Sequence, residues 1–190
     1  MKIVIANNKG GQGKTFFARL ILWYLLQNPA LADKVGLLDV DKDQKNFDNA
    51  MRGRNINVFD SLESIPDDII CVVDTPPSLS GSIPAIQQAD ILIVPIILGK
   101  DAADGLKRVR QVRGKNDLRI VANDWDDSSN QKEVEEHLIA SGYKIIYKLP
   151  KYKRITYNLD HDLDWHFGLT EPIINYIVKL VKILITKPKG

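Results

Sequence analysis

The segment Asn7 to Thr15 reads NNKGGQGKT and lies between an apolar run, Lys2 to Ala6, and a helical stretch, Lys14 to Gln27, that stops at Asn28-Pro29. The run before it alternates little, as expected of a parallel strand buried on both faces. Gly10, Gly11 and Gly13 let the backbone turn tightly and aim several N–H groups at one centre. Lys14 then opens a helix whose N-terminus favours an anion. Strand, glycine loop and helix in this order predict a cradle for phosphate groups. The pattern puts the Lys14 ammonium on the outer phosphates of a nucleotide and the Thr15 hydroxyl on its Mg²⁺ ion.

The rest of the chain repeats the alternation. Further apolar runs are Val35 to Asp39, Ile69 to Asp74, Ile91 to Ile96, Leu118 to Asn123 and, more weakly, Lys144 to Leu149. Helical patterns at Ile83 to Ala89, Ala102 to Arg113, Gln131 to Ser141 and Glu171 to Ile185 separate most of them. Short apolar strands alternating with helices predict an α/β fold, P-loop NTPase-like, with a mostly parallel sheet flanked by helices on both faces. Such sheets bind ligands at the carboxyl ends of their strands, where the glycine loop, Asp39 and Asp74 fall. At 190 residues, without repeats or linker-like stretches, residues 1–190 are expected to form a single P-loop domain.

The loop departs from the general phosphate-binding pattern G-x-x-x-x-G-K-[ST]: its first glycine would fall at Asn8, and a second lysine, Lys9, stands at its start. KGGQGKT resembles the deviant Walker A motif, KGGxGKT, of the ParA/MinD superfamily of ATPases. GLLDVDKDQKN resembles the family's D-x-D-P-Q segment through Asp39 and Asp41, with Lys42 in place of the proline and Gln44 one position late. IICVVDTPPSLS closely resembles its D-T-P-P Walker B segment. The resemblance is specific across Lys9–Thr15, Asp39–Asp41 and Asp74–Pro77, and looser over the remainder.

The resemblance implies an ATPase using ATP and Mg²⁺ that forms a homodimer in its ATP state. Lys9 would be the signature lysine, reaching the partner's nucleotide in trans like an arginine finger. Lys9, Lys14 and Asp41 would be catalytic, with Asp41 orienting the attacking water. Gly10, Gly11, Gln12, Gly13, Lys14, Thr15 and Phe16 would hold the phosphates, with Asn123 and Pro150 towards the base. Thr15, Asp39 and Asp74 would hold the metal. Relatives carry a second Ser or Thr where Phe16 stands, commonly bonding the α-phosphate, so one hydroxyl contact is lost. Asp43 reads as a solvated loop acid. The family most resembled is the small ParA-type partition ATPase without an N-terminal DNA-binding extension. Its partners would be non-specific DNA and a centromere-binding or adaptor protein that stimulates hydrolysis, and its location the cytoplasm, on the nucleoid.

Composition narrows the rivals. Apolar residues are 44% and charged residues 26%, an ordinary globular balance, and a formal charge of +2 does not by itself demand a polyanion partner. The single cysteine, Cys71, excludes an internal disulfide or cluster site within one chain. Met1 leads directly into the first strand pattern, and no apolar stretch reaches the ~18 residues that span a bilayer. Two basic clusters suit phosphate backbones: Lys107, Arg108, Arg110, Arg113 and Lys115, and Lys148, Lys151, Lys153 and Arg154 interleaved with Tyr147 and Tyr152. The second is favoured for DNA. The last helix carries Lys179, Lys182, Lys187 and Lys189. It suggests a MinD-like membrane-associated positioning ATPase as an alternative, but its apolar positions are too many for one narrow face, so core packing is expected. A nucleotide-dependent scaffold with little hydrolysis is the other alternative, given Phe16 and Lys42. Asp160, His161, Asp162, Asp164 and His166 lack the convergent spacing of a metal site and read as a solvated loop.

Overall fold

The structure is a computed structural model that describes residues 1–41, 56–114, 117–150 and 171–186. Seven strands form one sheet: β1 (Lys2–Ile5), β2 (Val35–Asp39), β3 (Asn57–Phe59), β4 (Ile70–Asp74), β5 (Ile91–Ile97), β6 (Arg119–Trp125) and β7 (Ile145–Pro150), in the order β3-β2-β4-β1-β5-β6-β7. Every pairing is parallel. Among the described residues five α-helices connect or cover them: α1 (Lys14–Leu26), α2 (Leu79–Gln88), α3 (Ala102–Arg113), α4 (Ser129–Ala140) and α5 (Glu171–Ile185). The expected parallel α/β architecture is present, with helices on both faces.

Alternation along the strands divides the core. Ile3, Ile5, Val35, Leu37, Val72 and Ile93 face α1 and α5, whereas Val4, Leu38, Val73, Leu92, Val94 and Ile120 face α2, α3 and α4. Helix α1 is buried nearly all round, through Phe17, Leu20, Ile21, Leu22 and Leu25, because the sheet and α5 enclose it. On α5 the buried residues Ile177, Leu180, Val181 and Leu184 recur at helical spacing, and Lys179 and Lys182 are exposed. Each buried side chain is worth about 1.5–3 kcal/mol, so the described part of α5 belongs to the core. The Tyr176 hydroxyl adds a hydrogen bond to the Lys148 carbonyl at 2.9 Å, and Arg119 donates to the Leu184 carbonyl. Among the described residues no helix is long and apolar enough to cross a membrane. Cys71 is fully buried in β4, and burial pushes its thiol up to about 12.

Two features differ from the pattern in the sequence. The edge strand β3 has only three residues and a half-exposed face, too short for periodicity to register. Helix α2 begins at Leu79, ahead of the expected Ile83, and runs through Pro84. Proline removes the hydrogen bond to the carbonyl four residues earlier, that of Ser80, an exposed residue that water can serve.

The strand order makes β2, β4 and β1 neighbours. In register, Asp39 lies beside Asp74, and Asp74 beside Ile5, the last residue of β1, which leads into the glycine loop. Two acids and the loop, far apart in sequence, therefore meet at one edge.

Candidate nucleotide-binding site

The loop is strapped down by side chains. Asn7 Nδ2 donates to the Pro95 carbonyl at 2.7 Å, Gln12 Oε1 accepts from the Ile97 amide at 2.7 Å, and Asn123 Nδ2 donates to the Gln12 carbonyl at 3.2 Å. These bonds tie it to the ends of β5 and β6. Gly11 and Gly13 hold φ of 72° and 94°, a left-handed conformation that only glycine adopts readily, and Gly13 caps α1. A Cβ on Gly13 would lie 2.5 Å from Asn123 Nδ2. Gly13→Ala thus meets backbone strain and a clash together, at a cost of about 1–3 kcal/mol for the conformation alone. The expected result is a melting temperature lowered by several degrees and ATP affinity reduced about tenfold or more. Scanning fluorimetry and calorimetric titration check both.

Beside the loop opens a cleft of about 500 Å³, a size suited to a nucleotide. Gly10, Gly11, Gly13, Lys14 and Thr15 line one wall, and Asp39, Asp41, Asp74 and Pro77 the other. Lys14 is buried, its ammonium donating to the Lys9 carbonyl at 3.2 Å. Burial lowers its pKa, opposed by the charges of Asp74 and Asp41. The Thr15 hydroxyl donates to Asp74 Oδ2 at 2.6 Å, and the Asp41 amide to Asp39 Oδ1 at 3.0 Å. Asp74 is 4% exposed, and burial lifts its carboxyl from 3.8 to about 7, with Asp39's charge adding to the rise. Thr75 is buried and donates to the Ile5 carbonyl at 2.9 Å, fixing the turn into Pro76-Pro77.

The donor set fits Mg²⁺. Among the described residues Asp74 Oδ1 is buried with no hydrogen-bond partner, next to the Thr15 hydroxyl and the neighbouring Asp39. Hard oxygen donors suit this ion, which keeps several waters and takes phosphate oxygens besides one or two carboxylates. Among the described residues no cluster of three or more His, Cys, Asp or Glu could hold a metal.

Other expected site residues take different places. Lys9 lies outside the cleft, 58% exposed, with its ammonium 3.1 Å from Asp101 Oδ2 just before α3. The Gln12 side chain is turned towards β5, so only its backbone faces the loop's concave side. Phe16 lines the cleft and meets Phe17 edge-on, centroids 5.2 Å apart. Asn123 sits against the loop itself. Pro150 closes β7, opposite Trp125, three strands from β1. Arg19 lines the cleft and escaped notice in the sequence. Its signal is its position one turn beyond Thr15 on the same helix face.

Three of the described residues in the basic clusters are engaged. Arg113 binds Asp117 at 2.8 Å and the Ile86 carbonyl at 3.2 Å, and Arg110 lies 3.9 Å over the Tyr143 ring. Lys148 pairs with Glu135 at 2.6 Å and lies 4.2 Å over the Trp125 ring. Lys107 and Arg108 remain exposed on α3. Lys42, Asp43, Gln44, Lys115, Lys151, Tyr152, Lys153, Arg154, Lys187 and Lys189, with the stretch Asp160 to His166, lie outside the described residues.

Solved structures similar to this chain include a protein of Borrelia burgdorferi B31 described as a plasmid partition protein and bound to AMPPNP. It is 17% identical, with 96% of this chain and 97% of that one covered, at a TM-score of 0.72. MinD cell division protein from Aquifex aeolicus is 16% identical, over 100% and 98% of the two chains, at 0.70. A McdA variant from Cyanothece in complex with ATP is 16% identical, also over 100% and 98%, at 0.70. At these identities the likeness is one of fold. No curated protein matches the sequence. Residues 3–163 match the model of the CobQ/CobB/MinD/ParA nucleotide binding domain, and with the loop, the paired acids and the parallel sheet all in place, the chain belongs to that ParA/MinD-type family.

Proposed function

We propose that this chain is an ATP-dependent dimerising ATPase of the ParA type, which moves or segregates DNA together with a partner protein. The observation that carries the reading is the division of labour between two lysines of one loop. Lys14 is buried in the cleft, whereas Lys9 projects outwards, where it can serve a neighbouring subunit's nucleotide. Its pair with Asp101 is exposed and worth only about 0–1 kcal/mol, so a second subunit's phosphates can displace it.

In this reading the loop amides and Lys14 hold the β- and γ-phosphates, and Thr15, Asp39 and Asp74 hold Mg²⁺. The ion supplies charge neutralisation on the phosphate oxygens when bound. Asp41 orients water, and Lys9 puts a cation on the partner's transferring group. Turnover is slow until the partner protein completes the geometry. DNA contact rests on doubling a weak patch by dimerisation, with Lys107 and Arg108 its described candidates.

Analytical sedimentation tests the reading. Wild type is expected to be dimeric with ATP and monomeric with ADP, and Lys9→Ala to remain monomeric with both. Equal mass in every nucleotide state would remove the switch. Retention on DNA with ATP supports partition, whereas ATP-dependent binding to liposomes instead would favour the membrane alternative.

A further inference from the structure

Lys14 is not the only cation in the cleft. Residues Phe17, Ala18 and Leu20 of α1 turn into the core, but Arg19, between them, lines the cleft together with Phe16. Helical side chains lean towards the helix N-terminus. A long side chain at position 19 therefore covers the turn that carries Thr15 and Phe16, the turn that meets the nucleotide. Phe16 itself offers a phosphate only its backbone amide, because its ring neither donates nor accepts.

Charge sharpens the point. The described lining contains three carboxylates, Asp39, Asp41 and Asp74, against two cations, Lys14 and Arg19. Lys9 is outside and paired with Asp101. A polyphosphate entering this acidic surrounding calls on the positive groups that line it. Lys14, at the loop, serves the β/γ end. Arg19 lies further along α1, and its planar fork suits two oxygens of a single phosphate.

We propose that Arg19 is a nucleotide-binding residue of this chain, its guanidinium contacting the α-phosphate of ATP or ADP while the Phe16 ring walls the contact. The proposal rests on the nucleotide-binding reading of the cleft and adds to it a contact indifferent to the γ-phosphate. That indifference is the test.

Calorimetric titration with ATP and with ADP, both with magnesium, is run on wild type, Arg19→Met, Arg19→Lys and Lys14→Ala. Methionine keeps the apolar stem, and melting temperatures without nucleotide check that each variant folds. Arg19→Met is expected to lose roughly tenfold or more in affinity for ATP and ADP alike, with Arg19→Lys between it and wild type. Lys14→Ala should lose more for ATP than for ADP. Adding Phe16→Ser to Arg19→Met supplies a hydroxyl to the same region and should restore part of the loss. Wild-type affinity in Arg19→Met overturns the proposal, as does a loss confined to ATP, which would place the guanidinium at the γ-phosphate. A wild-type protein that binds neither nucleotide overturns the reading beneath it as well, so the two failures are distinguishable.

Discussion

Replacing Lys14 by alanine is expected to abolish useful ATP binding. The ammonium is buried in the cleft and donates to the Lys9 carbonyl of its own loop. Burial already disfavours its charge, so a phosphate oxygen gains the full benefit of pairing with it. Truncating one partner of a buried, hydrogen-bonded charge pair costs about 2–5 kcal/mol. At 1.4 kcal/mol per factor of ten, that is roughly thirtyfold to a few thousandfold in affinity. Titration calorimetry reads the loss directly. Unchanged ATP affinity would mean that the cleft is not where phosphate binds.

Asp74 carries the second large effect, and its sign is opposite to that of an ordinary paired carboxylate. Burial raises its pKa from 3.8 to about 7 against the lowering influence of Thr15, Lys14 and the Thr75 amide. Between those two pH values the folded protein retains a proton that the unfolded chain has released. Stability is therefore full at low pH, falls as pH rises towards 7, and levels off above it. At 1.36 kcal/mol per pH unit, the penalty at pH 8 is on the order of 4 kcal/mol. Asp74→Asn removes the ionisation but retains an oxygen for Thr15. In magnesium-free buffer its melting temperature should exceed that of wild type by on the order of 10 °C at pH 8, the gap closing towards pH 4. With ATP and magnesium the same variant should lose hydrolysis, because an amide replaces the carboxylate that fits the ion. A gap independent of pH would show that Asp74 titrates normally and is not the buried acid of the site.

The stability cost and the function have one source. A carboxyl held in an apolar strand end, with one oxygen unsatisfied, is poor for the empty protein and good for a cation. Strain of this kind is commonly stored at binding sites.

The local parts of this machine were legible in the residues. Gly11 and Gly13 require left-handed φ, the run from Lys2 is a strand, and Lys14 begins a helix, all decided within a few positions of each other. The same holds for Asp39 and Asp74, each ending an apolar run. Hence the fold class, and the expectation that the loop cradles phosphate, followed from patterns whose range is one turn or one strand. Phe16 and the missing proline at Lys42 were equally visible as departures.

What the tertiary structure alone decided were the meetings between distant segments. The order β2-β4-β1 puts Asp39 against Asp74 and both beside the loop, and no local periodicity encodes which strands become neighbours. The Lys9 ammonium rests on Asp101, Gln12 turns to Ile97, and Arg113 and Lys148 are taken up by Asp117 and Glu135. In sequence those lysines and arginines look equally available. Whether a charge is spent depends on a partner up to ninety-odd residues away, and only packing brings the two together. The physical reason is range: backbone conformation answers to near neighbours, whereas charge pairing and burial answer to whatever the folded chain places within a few ångströms.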